Sequence, residues 1–322
     1  MLSKQTKTMA NIAGAALVAL SVTAMPSAAE EKPGQVTIFT SVSGSSWYGI
    51  GAGMAEIFAS AGVPSNPELG AGLSNVANVA SGQGELGFTM SPAVTVAKRG
   101  DAPFGAPVEN VAVIAGLSES LMHIIVDAEE GFGSVRDLAG HPFITQRPGS
   151  ITAVVFEELL SVNDMTTADL DISTGSLTEQ RDGLKDRRSD GMVSIASYPS
   201  SWGAELATTV PVSFLPISEA EFEALSAEMP TVGRGTIKAG TYKGQDADIP
   251  TVTAKMIVVG AADMPDDEAY WIAKTLAENL DSVRALHASY ANLTVEDMAT
   301  VPGGGIHPGA ARYYKEVGAL KE

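Results

Sequence analysis

The chain of 322 residues contains no cysteine. That excludes disulfides, thiol nucleophiles, cysteine-ligated metal and the lipid-modified cysteine of a bacterial lipoprotein. Histidine is scarce too: His123, His141, His287 and His307 fall in no HExxH or other metal-ligand spacing. No G-x-S-x-G elbow occurs, so Ser150 has no sequence signature tying it to a histidine and an acid. Gly49-x-Gly51-x-Gly53 has the wrong spacing for a dinucleotide fingerprint. Asp246-Ala-Asp248 lacks the glycine and terminal glutamate of a calcium loop and reads as loop decoration. These absences lead us to expect no enzyme, no cofactor and no metal. Basic residues number 20 against 38 acidic ones, a net charge of −18 that disfavours nucleic acid and anionic membranes as partners.

Long apolar runs are missing as well, with one exception at the start. Ile12 to Met25 falls short of the roughly 20 residues that a spanning helix needs. Lys4 and Lys7 precede it and Ser27-Ala28-Ala29 follows it, the pattern of a secretory signal peptide over residues 1–29. The expected location is the periplasm. Cleavage before Glu30 would remove two lysines and no acid, leaving 293 residues with a net charge of −20, long enough for two lobes.

What the chain does contain is a recurring junction. Thr37 to Thr40 is β-rich, Ser41-Val-Ser-Gly-Ser-Ser46 is a small hydroxyl-rich loop, and an apolar helix runs from about Trp47 to Ser60. Gly49 and Gly53 share a face of that helix, which suggests close packing there. Amides at a helix start lack intrahelical acceptors and the dipole adds positive potential, so such a loop can hold a carboxylate without a cation. Ser41, Ser43, Gly44 and Ser45 are candidate ligand groups. Ser74 and Asn75 open a second helix, where capping is the alternative role. Ser91 precedes Pro92 at the start of a third, and Gln146-Arg-Pro-Gly-Ser150 opens a fourth with Gly149 and Ser150 at its start. Ser197-Tyr-Pro-Ser-Ser201 opens a fifth.

Arg147 is the permanent cation within these loops; it either pairs with a ligand carboxylate or offsets Glu157 or Glu158. Tyr48 and Tyr198 either cover a ligand or pack in the core. Ser176-Leu-Thr-Glu179 has capping-box spacing. The alternation predicts α/β lobes with mainly parallel sheets. β runs are expected at 111–115 and 123–126 and again at 248–260, with one long helix over 266–288. Ligands in such folds sit where strand C-termini meet helix N-termini, so five converging loops imply a cleft.

In order, these elements resemble the TAXI family of solute-binding proteins that serve tripartite ATP-independent periplasmic (TRAP) transporters. The likeness rests on Ser41-Val-Ser-Gly-Ser-Ser-Trp-Tyr48, the Ser74-Asn75 helix start, Gly82-x-Gly-Glu-Leu-Gly-Phe88 before Ser91, Pro148-Gly-Ser150 and Asp190-Gly191. Ala239-Gly-Thr-Tyr-Lys-Gly244 and Ile306-His-Pro-Gly-Ala310 with Tyr313-Tyr314 extend it over nearly all of the mature chain. The resemblance implies a two-lobed periplasmic binding fold, type II or Venus-flytrap, with two hinge-crossing strands. Lobe one would comprise residues 33–118 and 251–322, lobe two residues 119–250, with hinges near Leu117–Ser120 and Ile249–Thr251. It further implies a monomer that delivers a small organic anion, a dicarboxylate such as glutamate or 2-oxoglutarate, to membrane TRAP permease subunits. A sensor reporting to a membrane receptor is the alternative. The chain departs from the family pattern at Ser41 and Ser45, where glycine is usual, and at Arg147.

Overall fold

The computed structural model describes residues 31–321, and the expected signal peptide lies outside them. Among the described residues no helix is long and apolar enough to cross a membrane. Strand and helix alternate from the start: β1 (Val36–Phe39), α1 (Ser46–Ser60), β2 (Ser65–Glu68), α2 (Gly72–Ala80), β3 (Leu86–Met90) and α3 (Pro92–Arg99). A long strand, β4 (Ala112–Asp127), leads to β5 (Pro142–Thr145), α4 (Ile151–Ser161), β6 (Asp171–Thr174) and α5 (Leu177–Lys185). Next come β7 (Gly191–Ser197), α6 (Ser201–Thr209), β8 (Val212–Phe214), α7 (Glu219–Glu228) and β9 (Gly233–Ile237). A second long strand, β10 (Ile249–Gly260), precedes α8 (Asp266–Glu278), α9 (Leu280–Ala285), α10 (Val295–Ala299) and α11 (Pro308–Glu316).

Local chemistry fixes several of these starts. Ser176 and Glu179 form the expected capping box at α5, Glu179 Oε2 accepting from the Ser176 amide at 2.7 Å. The single helix expected over 266–288 divides at Asn279, whose Nδ2 donates to Thr275 O at 2.8 Å. Gly53 packs closely, because a Cβ there would lie 2.2 Å from Leu286 Cδ2, but Gly49 has open space around it and needs another explanation than packing.

The sheet differs from the mainly parallel arrangement expected. Its outer parts are parallel, β1 with β2 and β3, and β5 with β6 and β7. Its centre is antiparallel: β10 against β3, β4 and β9, and β4 against β7 and β8. The strands form one ten-stranded sheet, with the order β2-β1-β3-β10-β4-β7-β5-β6 and with β8 and β9 off this path. The cause lies in β4 and β10, which pair with each other from Ala112 to Leu121 and from Thr253 to Gly260 and thereby join two halves. β4 goes on to pair with β7 over Ser120–Val126. β10 pairs with β9 up to Thr253 and with β3 from Met256.

The two runs expected at 111–115 and 123–126 are thus one strand, buried at both ends and open around Ser118–Ser120. Polar residues in the middle of a strand look like a turn in sequence; here they mark where it leaves one core for another. A register shift puts one extra residue on β4 between Gly116 and Glu119, opposite Lys255–Ile257. Bulges bend and twist a strand, and this one falls on the Leu117–Ser120 stretch expected as a hinge. On β10 the change of partner lies at Thr253–Met256 rather than Ile249–Thr251. The earlier stretch is occupied by pairing to β9, a strand that Gly233 and Gly235 disguise as loop.

The result is a mixed α/β fold of two halves with two crossing strands. One core gathers β1, α1, α8 and α11 around Phe58, Trp271, Tyr290 and Tyr314. A second includes α2 and α3 together with α4 and α7, so apolar packing continues from one half to the other. The third, around Leu121, Phe214 and Tyr242, lies in the second half.

Candidate functional site

A cavity of about 570 Å³ opens where strand C-termini of both halves meet helix starts. The first half contributes Trp47 at the start of α1, Ala71 to Ser74 at the start of α2, Met90 at the end of β3, and Pro103. The second contributes Gln146 and Pro148 to Thr152 from the β5–α4 connection, with Ile195 of β7. Three helix N-termini therefore face one space. Ser45 Oγ accepts from the Tyr48 amide and Ser150 Oγ from the Ala153 amide, each at 3.2 Å. The amides of Ser46, Trp47, Ile151 and Thr152 keep no acceptor among the described residues. α2 has no side-chain cap; its Gly72, Leu73 and Ser74 amides are likewise free.

None of the lining residues carries a charge. Two buried threonine hydroxyls nearby, Thr89 Oγ1 at the end of β3 and Thr145 Oγ1 at the end of β5, have no partner. Thr89 Oγ1 stands 3.6 Å from the point a Cβ on Gly72 would occupy, against the open start of α2. Neither residue lines the cavity, and other buried polar atoms, Thr253 Oγ1 and His307 Nε2 among them, are unpaired as well. Chemically the wall offers amide and hydroxyl donors on an apolar surface. It contains no pair of titratable side chains for proton transfer.

The expected site residues divide into five groups. Gly149 and Ser150 line the cavity. Ser41, Ser43 and Gly44 form the open β1–α1 loop outside its wall, while Ser45 caps α1 and Tyr48 is half-buried behind it. Asn75 and Ser91 are fully buried braces. Asn75 Nδ2 donates to Thr40 O and Phe88 O, both at 2.7 Å, and its Oδ1 accepts from the Ala71 amide at 3.0 Å, leaving little for a ligand. Ser91 Oγ donates to Thr231 O at 2.7 Å and accepts from the Lys255 amide at 3.1 Å, tying α3 to β10.

Ser197 and Tyr198 line a second cavity, about 600 Å³, with Ser200 to Trp202 and His287 to Ser289. The Tyr198 hydroxyl is already engaged by Thr241 Oγ1 and the Lys238 amide, each at 3.0 Å. The two cavities flank consecutive residues of β7, Ile195 and Ala196.

Arg147 is exposed and lies off the cavity wall, although Gln146 and Pro148 on either side line it. Its charge acts on Glu179, whose carboxyl is held below the usual range first by the Ser176 amide, then by the Ser176 hydroxyl, and least by Arg147. The partner is neither Glu157 nor Glu158; Glu158 is taken by Arg99 at 2.7 Å. Arg147→Ala is therefore expected to change ligand affinity by less than about 0.5 kcal/mol, as surface substitutions usually do. A titration showing a loss above about 2 kcal/mol would place the guanidinium on the ligand after all.

Sequence reasoning missed Trp47, Gly72, Met90, Gln146, Thr152 and Ile195 on the wall. Each sits in the first turn of a helix, at the end of a strand or just beyond it, and that position was the available signal. It also missed a cluster: ligand atoms of Glu130, His141 and Asp190 lie within 4.8 Å of one another. His141 Nδ1 and Asp190 Oδ2 are 2.8 Å apart. The group sits before β5 and β7, at the end of those strands opposite the cavity.

Solved structures share this architecture. A TctC solute-binding protein from Polaromonas superposes with a TM-score of 0.50 at 14% identity over 88% of this chain and 97% of that one. XAC2383 from Xanthomonas citri, solved with chloride, gives 0.51 at 8% identity over 88% and 96%. At such identities the likeness is one of fold alone. Residues 38–318 match the NMT1-like family. That match takes in the whole wall of the cavity, from Trp47 to Ile195, and the chain is a member of the NMT1-like family.

Proposed function

We propose that the protein is an extracytoplasmic solute receptor that closes over a small organic anion between its halves. The observation that carries this reading is a cavity walled from both halves, faced by three helix starts and free of charged side chains. Open amides at helix starts, reinforced by the dipole, are a sufficient anion site without Lys or Arg. On this reading Gly149, Ser150 and the first-turn amides of α2, that of Ser74 among them, and of α4 hold the anion, and Trp47 covers its carbon chain; the Ser74 hydroxyl is already spent on Ala71 O at 2.9 Å. The lobes are residues 33–118 with 251–322, and 119–250, moving about β4 and β10.

The sequence resemblance to TAXI proteins supports a periplasmic location, a dicarboxylate such as glutamate or 2-oxoglutarate, and delivery to TRAP permease subunits by a monomer. Calorimetry across C4 to C6 mono- and dicarboxylates tests the receptor reading. One acid should bind one to one with about −8 kcal/mol, near micromolar, and chelator should not change it. Silence across the whole panel with folded protein would overturn the assignment.

A further inference from the structure

Resting on that receptor reading but departing from the dicarboxylate to which the resemblance points, we infer that the solute carries a single anionic head on an apolar body rather than two carboxylates. Each helix end supplies about half a unit of positive charge, so the three ends facing the cavity offset little more than one negative charge. No second source of positive charge stands on the wall: its lining residues carry none, and Arg147 lies outside it with its charge set against Glu179.

The remaining surface is chiefly apolar, formed by Trp47, Leu73, Met90, Pro103, Ile151 and Ile195. A second carboxylate pressed there would lose its water and find no counter-charge, whereas a methylene chain gains from the same burial. The recognised chemistry is thus one carboxylate or sulfonate head with a hydrocarbon body.

Hexanoate, hexane-1-sulfonate and adipate separate the alternatives, because adipate is hexanoate with its terminal methyl replaced by a second carboxylate. Calorimetry on the intact protein should find hexanoate or hexane-1-sulfonate binding at least about tenfold more tightly than adipate, and the order of those two identifies the head. Ile195→Lys, which puts a cation on the apolar wall, should narrow or reverse the preference. Adipate binding as tightly as hexanoate, or a dicarboxylate binding while both single-headed probes stay silent, overturns this inference and leaves the receptor reading standing. Silence with all three probes and with every other C4 to C6 acid overturns the receptor reading itself.

Discussion

Changing Ser74 to aspartate is expected to strengthen α2 while removing most of the anion affinity. Ser74 is exposed, lines the cavity and occupies the third position of α2, whose first-turn amides lack acceptors. A carboxylate at that position complements the helix dipole and should add up to about 1 kcal/mol of stability. The same carboxylate would stand within a few ångströms of a bound anion. Two like charges about 4 Å apart repel by about 4 kcal/mol at the effective dielectric near a protein surface, so affinity should fall by roughly 2 to 4 kcal/mol. Ser74→Asn keeps a polar neutral group and should retain most of the binding. Opposite signs in melting temperature and affinity are the signature. Unchanged affinity in the aspartate variant would mean that the anion does not lie at α2.

Acid should weaken the fold through His123. Its imidazole is fully buried among Trp202, Phe214 and Tyr242. Leu121 O lies 2.9 Å from Nδ1, so Nδ1 carries the proton and Nε2 accepts from the Tyr242 hydroxyl at 2.8 Å. That hydroxyl oxygen in turn accepts from the Ser200 amide at 2.9 Å, at the cap of α6 and on the wall of the second cavity. Burial pushes the imidazole down to about 4, against an opposing pull from backbone carbonyls at Leu121 and Ser194.

The unfolded chain, with an ordinary value near 6.5, therefore binds the proton first. Stability is full above about pH 6.5 and is lost as pH falls toward about 4, by about 3 kcal/mol in all. Denaturant unfolding across that window should be steeper in pH for the native sequence than for His123→Phe. Equal slopes would show that another group carries the acid response.

Much of the architecture was legible because its signals are local. The serine caps at Ser45, Ser150 and Ser176 and the proline at the start of α3 place helix starts within a residue or two of where they stand. Sheet connectivity was harder to read, because pairing of β4 with β10 joins residues more than a hundred positions apart and no single window of sequence carries that information. β2 was hidden by its composition: Ser65-Asn-Pro-Glu68 is polar, half-exposed and contains a proline, as an edge strand tolerates.

At the site, sequence pattern located the loops but not the direction of their side chains. Asn75 and Ser91 have residue types that suit a ligand equally well as a backbone brace, and the buried carbonyls of Thr40, Phe88 and Thr231 took them. Trp47 and Met90 were passed over because apolar residues read as core until a cavity is seen beside them.

Mass spectrometry of the native protein after incubation with the pooled C4 to C6 acids reads occupancy and ligand identity together. One small organic acid should be found per chain, retained by Arg147→Ala and absent from Ser74→Asp. A chain that takes up no acid, or an acid held equally well by Ser74→Asp, would rule out an anion seated at the start of α2.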